Sequence, residues 1–155
     1  MTPVRLGPGD PSLLAVLTLL HDSFAYMEGR IDPPSSLREM TLASLARDAE
    51  VNELWGLFSG DRLLACVILT PKPDHLYLGK LAVARDARGT GLARQLVTLA
   101  LDRTRQLRLP ALRLQTRVEL TENQAAFARL GFREIARTAH AGYDRPTSVT
   151  MQREV

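Results

Sequence analysis

The sequence predicts a mixed α/β domain built on one central sheet, and three observations carry that prediction. Alternating or continuous apolar stretches at residues 54–60, 62–70, 76–83 and 111–118 read as strands. Apolar residues at helical spacing read as helices: Leu13, Leu14, Leu17 and Leu20, and again Leu92, Leu96 and Leu99. The stretch KLAVARDARGTGLARQLV, residues 80–97, passes from strand to helix through a connection holding two arginines and two glycines.

Taken in order, Val4, Arg5 and Leu6 form a short strand closed by the turn-rich GPGDPS. Asp10 or Ser12 caps the helix that follows, and GRIDPPSS ends it. A second helix is expected over 37–48, opened by Ser35 or Ser36, with Glu39 completing a capping box on Ser36. Two strands joined by SGDR come next, then a third at 76–83. Residues 91–107 read as a helix and 111–118 as a strand. Residues 121–132 form a short helix with Thr121 as cap and Gly131 as stop. The remainder reads as two strands around a turn at 141–146. The order is β-α-α-β-β-β-α-β-α-β-β. No repeat, low-complexity tract or linker divides these elements, so residues 1–155 read as a single domain.

Composition narrows the function classes. Hydrophobic residues make up 45% and charged ones 24%, as in soluble globular proteins. No apolar run reaches the length of a membrane span, and the first ten residues lack the apolar core of a signal peptide, so the cytoplasm is the expected compartment. One cysteine, Cys66, excludes an internal disulfide and a multi-cysteine metal site; within LLACVILT it reads as a buried apolar residue. The net charge of +3 is unevenly spread. From Lys80 to Arg117, nine basic residues face Asp86 and Asp102, which makes +7 there and −4 elsewhere. Such asymmetry suits a polyanionic partner. Aromatics are only 5% and do not interleave with the arginines, so nucleic acid is disfavoured.

The connection at 84–91 builds an anion site by geometry. First-turn N–H groups have no partner inside a helix, and the macrodipole adds positive potential there. Gly89 and Gly91 let the backbone approach a phosphate closely, and Arg88 adds a fork of donors. A Walker loop is absent, and the third glycine of a dinucleotide fingerprint is replaced by Arg94. The run Arg88-Gly89-Thr90-Gly91-Leu92-Ala93 instead resembles the Arg/Gln-x-x-Gly-x-Gly/Ala signature of the GNAT superfamily of acyl-CoA N-acyltransferases. The element order is similar to that family's over nearly the whole chain. NQAAFARLGF, with Leu130-Gly131-Phe132, resembles its second cofactor segment.

The resemblance implies a three-layer fold whose mostly antiparallel sheet splays between its fourth and fifth strands. It implies that acetyl-CoA is the acyl donor, that no metal is needed, and that amides from Arg88 to Ala93 (Arg88, Gly89, Thr90, Gly91, Leu92, Ala93) hold its pyrophosphate. Leu81, Ala82 and Val83 would pair with the pantetheine arm, and the Val83 amide would polarise the thioester carbonyl. Asn123 would hydrogen-bond the arm or help cap its own helix, and Phe127 would pack against arm or core. The family's proton-donating tyrosine falls at Phe127, which has no proton to give, so Tyr143 becomes a candidate acid.

An alkyl ammonium, with a pKa near ~10.4, needs a base before it can attack. Glu119, His140 and Glu28 are the candidates, with His140 favoured by its titration range. Tyr26, Glu28 and Arg30 stand where the first helix ends and would meet the substrate; Arg30 would clamp an anionic group or face water beside Asp32. The expected partner is a small-molecule or peptide amine, and the family's habit also allows a homodimer. Two rivals stand beside N-acetyl transfer: an acyl-CoA sensor without turnover, and a polyanion binder using residues 80–117.

Overall fold

From Leu63 to Leu69 every residue is buried and none is charged or hydroxylated, so this segment must be covered on both faces. The computed structural model, which describes residues 1–155, supplies that cover. Its strands are β1 (Val4–Leu6), β2 (Glu53–Ser59), β3 (Arg62–Pro71), β4 (Leu76–Val83), β5 (Ala111–Arg117), β6 (Arg133–Thr138) and β7 (Ser148–Glu154). Its helices are α1 (Leu13–Met27), α2 (Leu42–Val51), α3 (Leu92–Gln106) and α4 (Thr121–Arg129). The expected order holds throughout.

All strands join one seven-stranded sheet in the order β1-β2-β3-β4-β5-β7-β6, antiparallel except between β4 and β5. On one face α1 and α2 pack against β2, β3 and β4, burying Val16, Leu20 and Leu45 with Leu54, Cys66 and Ile68. On the other, α3 places Leu92, Leu96 and Ala100 against Leu57, Val67, Leu78 and Leu112. Each fully buried leucine contributes about 1.5–3 kcal/mol of transfer free energy as an upper bound. No helix is long and apolar enough to cross a membrane.

Some element ends differ from expectation. Ser35 accepts from the Leu37 amide at 3.2 Å and opens only a 3-10 turn, Ser36–Glu39, not the helix expected over 37–48. The helix starts later because Thr41 and Ser44 exchange side-chain bonds with each other's amides at 3.1 and 2.9 Å, making the capping box that Ser36 and Glu39 do not make. Ser12 makes no cap bond with its side chain; Asp10 Oδ1 accepts from the Ser12 amide at 2.8 Å. Thr121 is the first residue of α4 and caps nothing, its place being taken by Leu120.

β4 and β5 are paired only at Leu76–Leu112 and Tyr77–Arg113, and then diverge. A bulge in β4 drives the separation. Between the pairs Cys66–Ala82 and Ile68–Gly79, β3 has one residue and β4 has two, Lys80 and Leu81. Lys80 takes φ of 51°, a left-handed conformation rare for a side chain of this size. The bulge turns β4 away from β5, and a cleft opens through the sheet.

Candidate functional site

The loop after β4 runs through a short 3-10 turn, Arg85–Ala87, into α3. Gly89 and Gly91 have φ of 78° and 86°, and Gly91 is the left-handed residue preceding α3. A Cβ at either would meet nothing within 4 Å, so the glycines serve backbone conformation and leave open space outside the loop. Thr90 Oγ1 donates to Ala87 O at 2.5 Å and fixes the turn from within. No protein group accepts from any main-chain amide between Arg88 and Arg94. This row of free donors at a helix start suits a pyrophosphate.

The cleft between the splayed strands has a volume of about 330 Å³. Leu81, Asn123 and Phe127 line it together, with Lys80, Tyr77 and Gly79 from β4 and Gln115, Thr116 and Arg117 from β5. Ala84 donates to Leu64 O at 2.7 Å, which makes Val83–Ala65 a pair whose main-chain groups point away from β3. The Val83 N–H therefore faces the side that β5 has left. Val83 itself borders a second recess with Arg85 and Arg88, one alternation nearer the loop than Leu81. Ala82 points to the opposite face and is buried beneath α1. Phe127 packs edge-on against Phe132, with ring centroids 5.8 Å apart.

His140 reaches the cleft from the connection between β6 and β7. Thr147 Oγ1 accepts from the His140 main-chain N–H at 2.8 Å, lies 2.5 Å from Nδ1, and donates to Thr138 O at 3.4 Å. This network engages the ring at Nδ1, and Nε2 makes no hydrogen bond within the protein. Glu119 Oε2 accepts from the Asp32 amide at 3.2 Å, while Oε1 is buried without a hydrogen-bond partner. Tyr143 does not line the cleft. Its hydroxyl donates to Asp32 Oδ1 at 2.6 Å, and that carboxylate raises its pKa, making it a poorer acid.

The expected substrate residues are drawn toward the loop. Tyr26 lies between two guanidinium groups, Arg30 at 5.0 Å and Arg88 at 4.9 Å from its ring centroid. Arg30 pairs with Glu122 at 2.5 Å, not with Asp32, and Tyr26 donates to the same carboxylate at 3.3 Å. Glu28 is exposed and makes no side-chain hydrogen bond or ion pair.

Three contributors escaped the sequence reading: Tyr77, Arg117 and the bulge at Lys80. Tyr77 stands at the start of the splay and is half-buried; burial raises its pKa, and the neighbouring Gln115 main chain only partly offsets that. Gly79 makes room for it, since a Cβ there would lie 3.2 Å from the Tyr77 ring. Arg117 donates to Pro33 O and, at 3.2 Å, to Pro34 O. Its burial lowers its pKa against the pull of Glu119, Tyr143 and Asp32.

Residues 14–132 match the model of the acetyltransferase (GNAT) family. No curated protein matches the chain. Among solved structures, the fold is similar to that of the ribosomal-protein-S18-alanine N-acetyltransferase from Escherichia coli, at 22% identity and a TM-score of 0.67, over 99% of this chain and 92% of that one. An acetyltransferase of Bacillus subtilis in complex with CoA aligns at 16% identity and a TM-score of 0.68, over 99% and 97%. A GNAT-family acetyltransferase from Staphylococcus aureus aligns at 13% identity and a TM-score of 0.74, over 99% of both chains.

Proposed function

Because the chain belongs to the GNAT acetyltransferase family, we propose that it moves an acetyl group from acetyl-CoA directly to a primary amine in a ternary complex. The observation that carries this reading is the row of partnerless amides from Arg88 to Arg94 beside a cleft that crosses the sheet. The donor supplies an activated thioester. The residues do the rest. Amides of Leu81 and Val83 pair with the arm and polarise the carbonyl, Asn123 bonds the arm, and Phe127 excludes water beside it. His140 Nε2 takes the proton of the attacking amine, since its ring is held at Nδ1 by Thr147. Tyr143 acts as a tether on Asp32 in place of the proton donor expected from the sequence.

The polyanion reading loses its continuous strip, because Arg103 pairs with Glu53 at 2.8 Å and Arg105 with Asp102 at 3.2 Å. The sensor reading keeps one observation in its favour, the absence of a hydroxyl at Phe127.

Calorimetric titration with acetyl-CoA, for the wild type and for Gly89→Val/Gly91→Val, tests the site. Valine at positive φ is strained, so thermal melting must first show that the variant is folded. Binding to the wild type and a loss of at least about 100-fold in a folded variant is the expected result. Equal affinity in both proteins rules out this loop as the cofactor site. Binding without turnover over a broad amine panel selects the sensor.

A further inference from the structure

α1 and α2 cover only the β1–β4 half of their face, and the β5–β7–β6 half is left open. Registers place Arg113 beside Gln152 and Arg133 in one row across this open half, and Gln115 beside Thr150 and Ala136 in the next. A groove runs over these rows, lined by Lys72, His75, Tyr77, Arg113, Gln115 and Thr150. Tyr77 and Gln115 also line the cleft, so groove and cleft share a wall.

The groove has a mixed floor, with Ile135 and Ala136 beside the polar side chains, and unequal charge. Arg113 spends Nε and one terminal nitrogen on the neutral Gln152 Oε1, at 2.9 and 2.8 Å, and its other terminal nitrogen makes no bond. Neither Arg113 nor Lys72 has a carboxylate within ion-pair distance; the nearby Asp74 is held by His75 at 2.7 Å, and Arg133 is matched by Glu154 at 2.5 Å. Two cations therefore line the groove, and the nearby acidic side chain, Asp74, is already engaged by His75.

We infer that this groove receives the distal part of the acceptor, and that the acceptor is an amine carrying a carboxylate, which Arg113 and Lys72 hold. The inference rests on the acetyl-transfer reading above. From the cleft wall at Gln115 or Arg117 to Arg113 is two to four residues of β5, so amine and carboxylate stand about 7–13 Å apart. A planar guanidinium suits that carboxylate, and the lysine adds a second charge.

The test compares ω-aminocarboxylates of roughly six to ten carbons, lengths that reach about 7–13 Å, with n-alkylamines and α,ω-diamines of equal length. The expected kcat/KM favours the carboxylates by about 10-fold or more over both, and the preference collapses in Arg113→Gln and weakens in Lys72→Gln. Retained acetyl-CoA binding shows that the variants are folded. In parallel, the wild type is titrated with 8-acetamidooctanoate and N-octylacetamide, a readout that needs no turnover. Acid binding that Arg113→Gln loses, without acetylation of any amine, would leave the groove standing and overturn the enzyme. Equal acetylation of all three series, with Arg113→Gln unchanged, would overturn the groove and leave the enzyme standing.

Discussion

His140 and Phe127 both line the cleft, one from the β6–β7 connection and the other from α4. Thr147 engages the His140 ring at Nδ1, Nε2 has no partner within the protein, and the residue lines the cleft. His140→Gln should lower kcat by about 100-fold, the usual worth of a positioned base, with acetyl-CoA affinity unchanged. A drop in calorimetric affinity as large as the drop in kcat would make His140 a binding residue instead. Phe127 is only half-buried and lies at the cleft surface beside Phe132. Phe127→Tyr should therefore fold with little loss of stability and raise turnover by restoring a proton donor near the leaving thiol, whose pKa is near ~8.5. A melting temperature lowered by more than about 5 °C would show instead that the ring has no room for a hydroxyl. The phenylalanine was legible as a departure from the family pattern. The Nδ1 anchor was not, because it depends on a threonine brought close only by the hairpin.

At the scale of elements, the strands and helices were legible because period-2 and helical apolar spacing translate directly into burial. α2 was misplaced because two serines and a glutamate offered an earlier start, while Leu37 and Met40 are both buried within the extra turn. The bulge left no signal, since nothing about a lysine announces positive φ. Also hidden was the pairing that fastens α3 to β2. Arg103 donates through two nitrogens to the buried Glu53 at 2.8 Å each, and Trp55 adds a bond at 3.0 Å. Burial pushes the Glu53 pKa up, but the bonds from Arg103 and Trp55 more than offset it, and the folded value lies below the ordinary 4.5. A depressed carboxyl stabilises the fold above its unfolded pKa and loses that contribution as pH falls through the folded one. Glu53→Gln should thus cost about 2–3 kcal/mol at pH 7 in urea unfolding, and the difference from wild type should shrink below about pH 4. A difference independent of pH would show that the loss is one of packing and not of charge.

Across the whole molecule, the connection between α1 and α2 arches over the cleft and is tied to parts of the chain far away in sequence. Tyr143 and Arg145 hold the Asp32 carboxylate at 2.6 and 3.2 Å, Glu119 accepts from its amide at 3.2 Å, and Arg117 donates to the carbonyls of Pro33 and Pro34. These partners are separated by 83 to 113 positions, which is why no local pattern exposed them and why Glu119 and Tyr143 read as catalytic candidates. The arch closes one mouth of the cleft and leaves the open half-sheet as the other. The ties to the Asp32 carboxylate are solvent-exposed and add little to stability, so their main effect falls on the shape of the acceptor's entrance. Asp32→Ala should change the melting temperature by less than about 3 °C and leave acetyl-CoA affinity intact, while raising the KM for the amine several-fold. Hydrogen exchange should quicken at residues 31–36 and not in the loop at 88–94. If exchange and amine KM both stay at wild-type values, the arch is held by Arg117 and Glu119 alone, and the hairpin carrying Tyr143 has no part in closing the cleft.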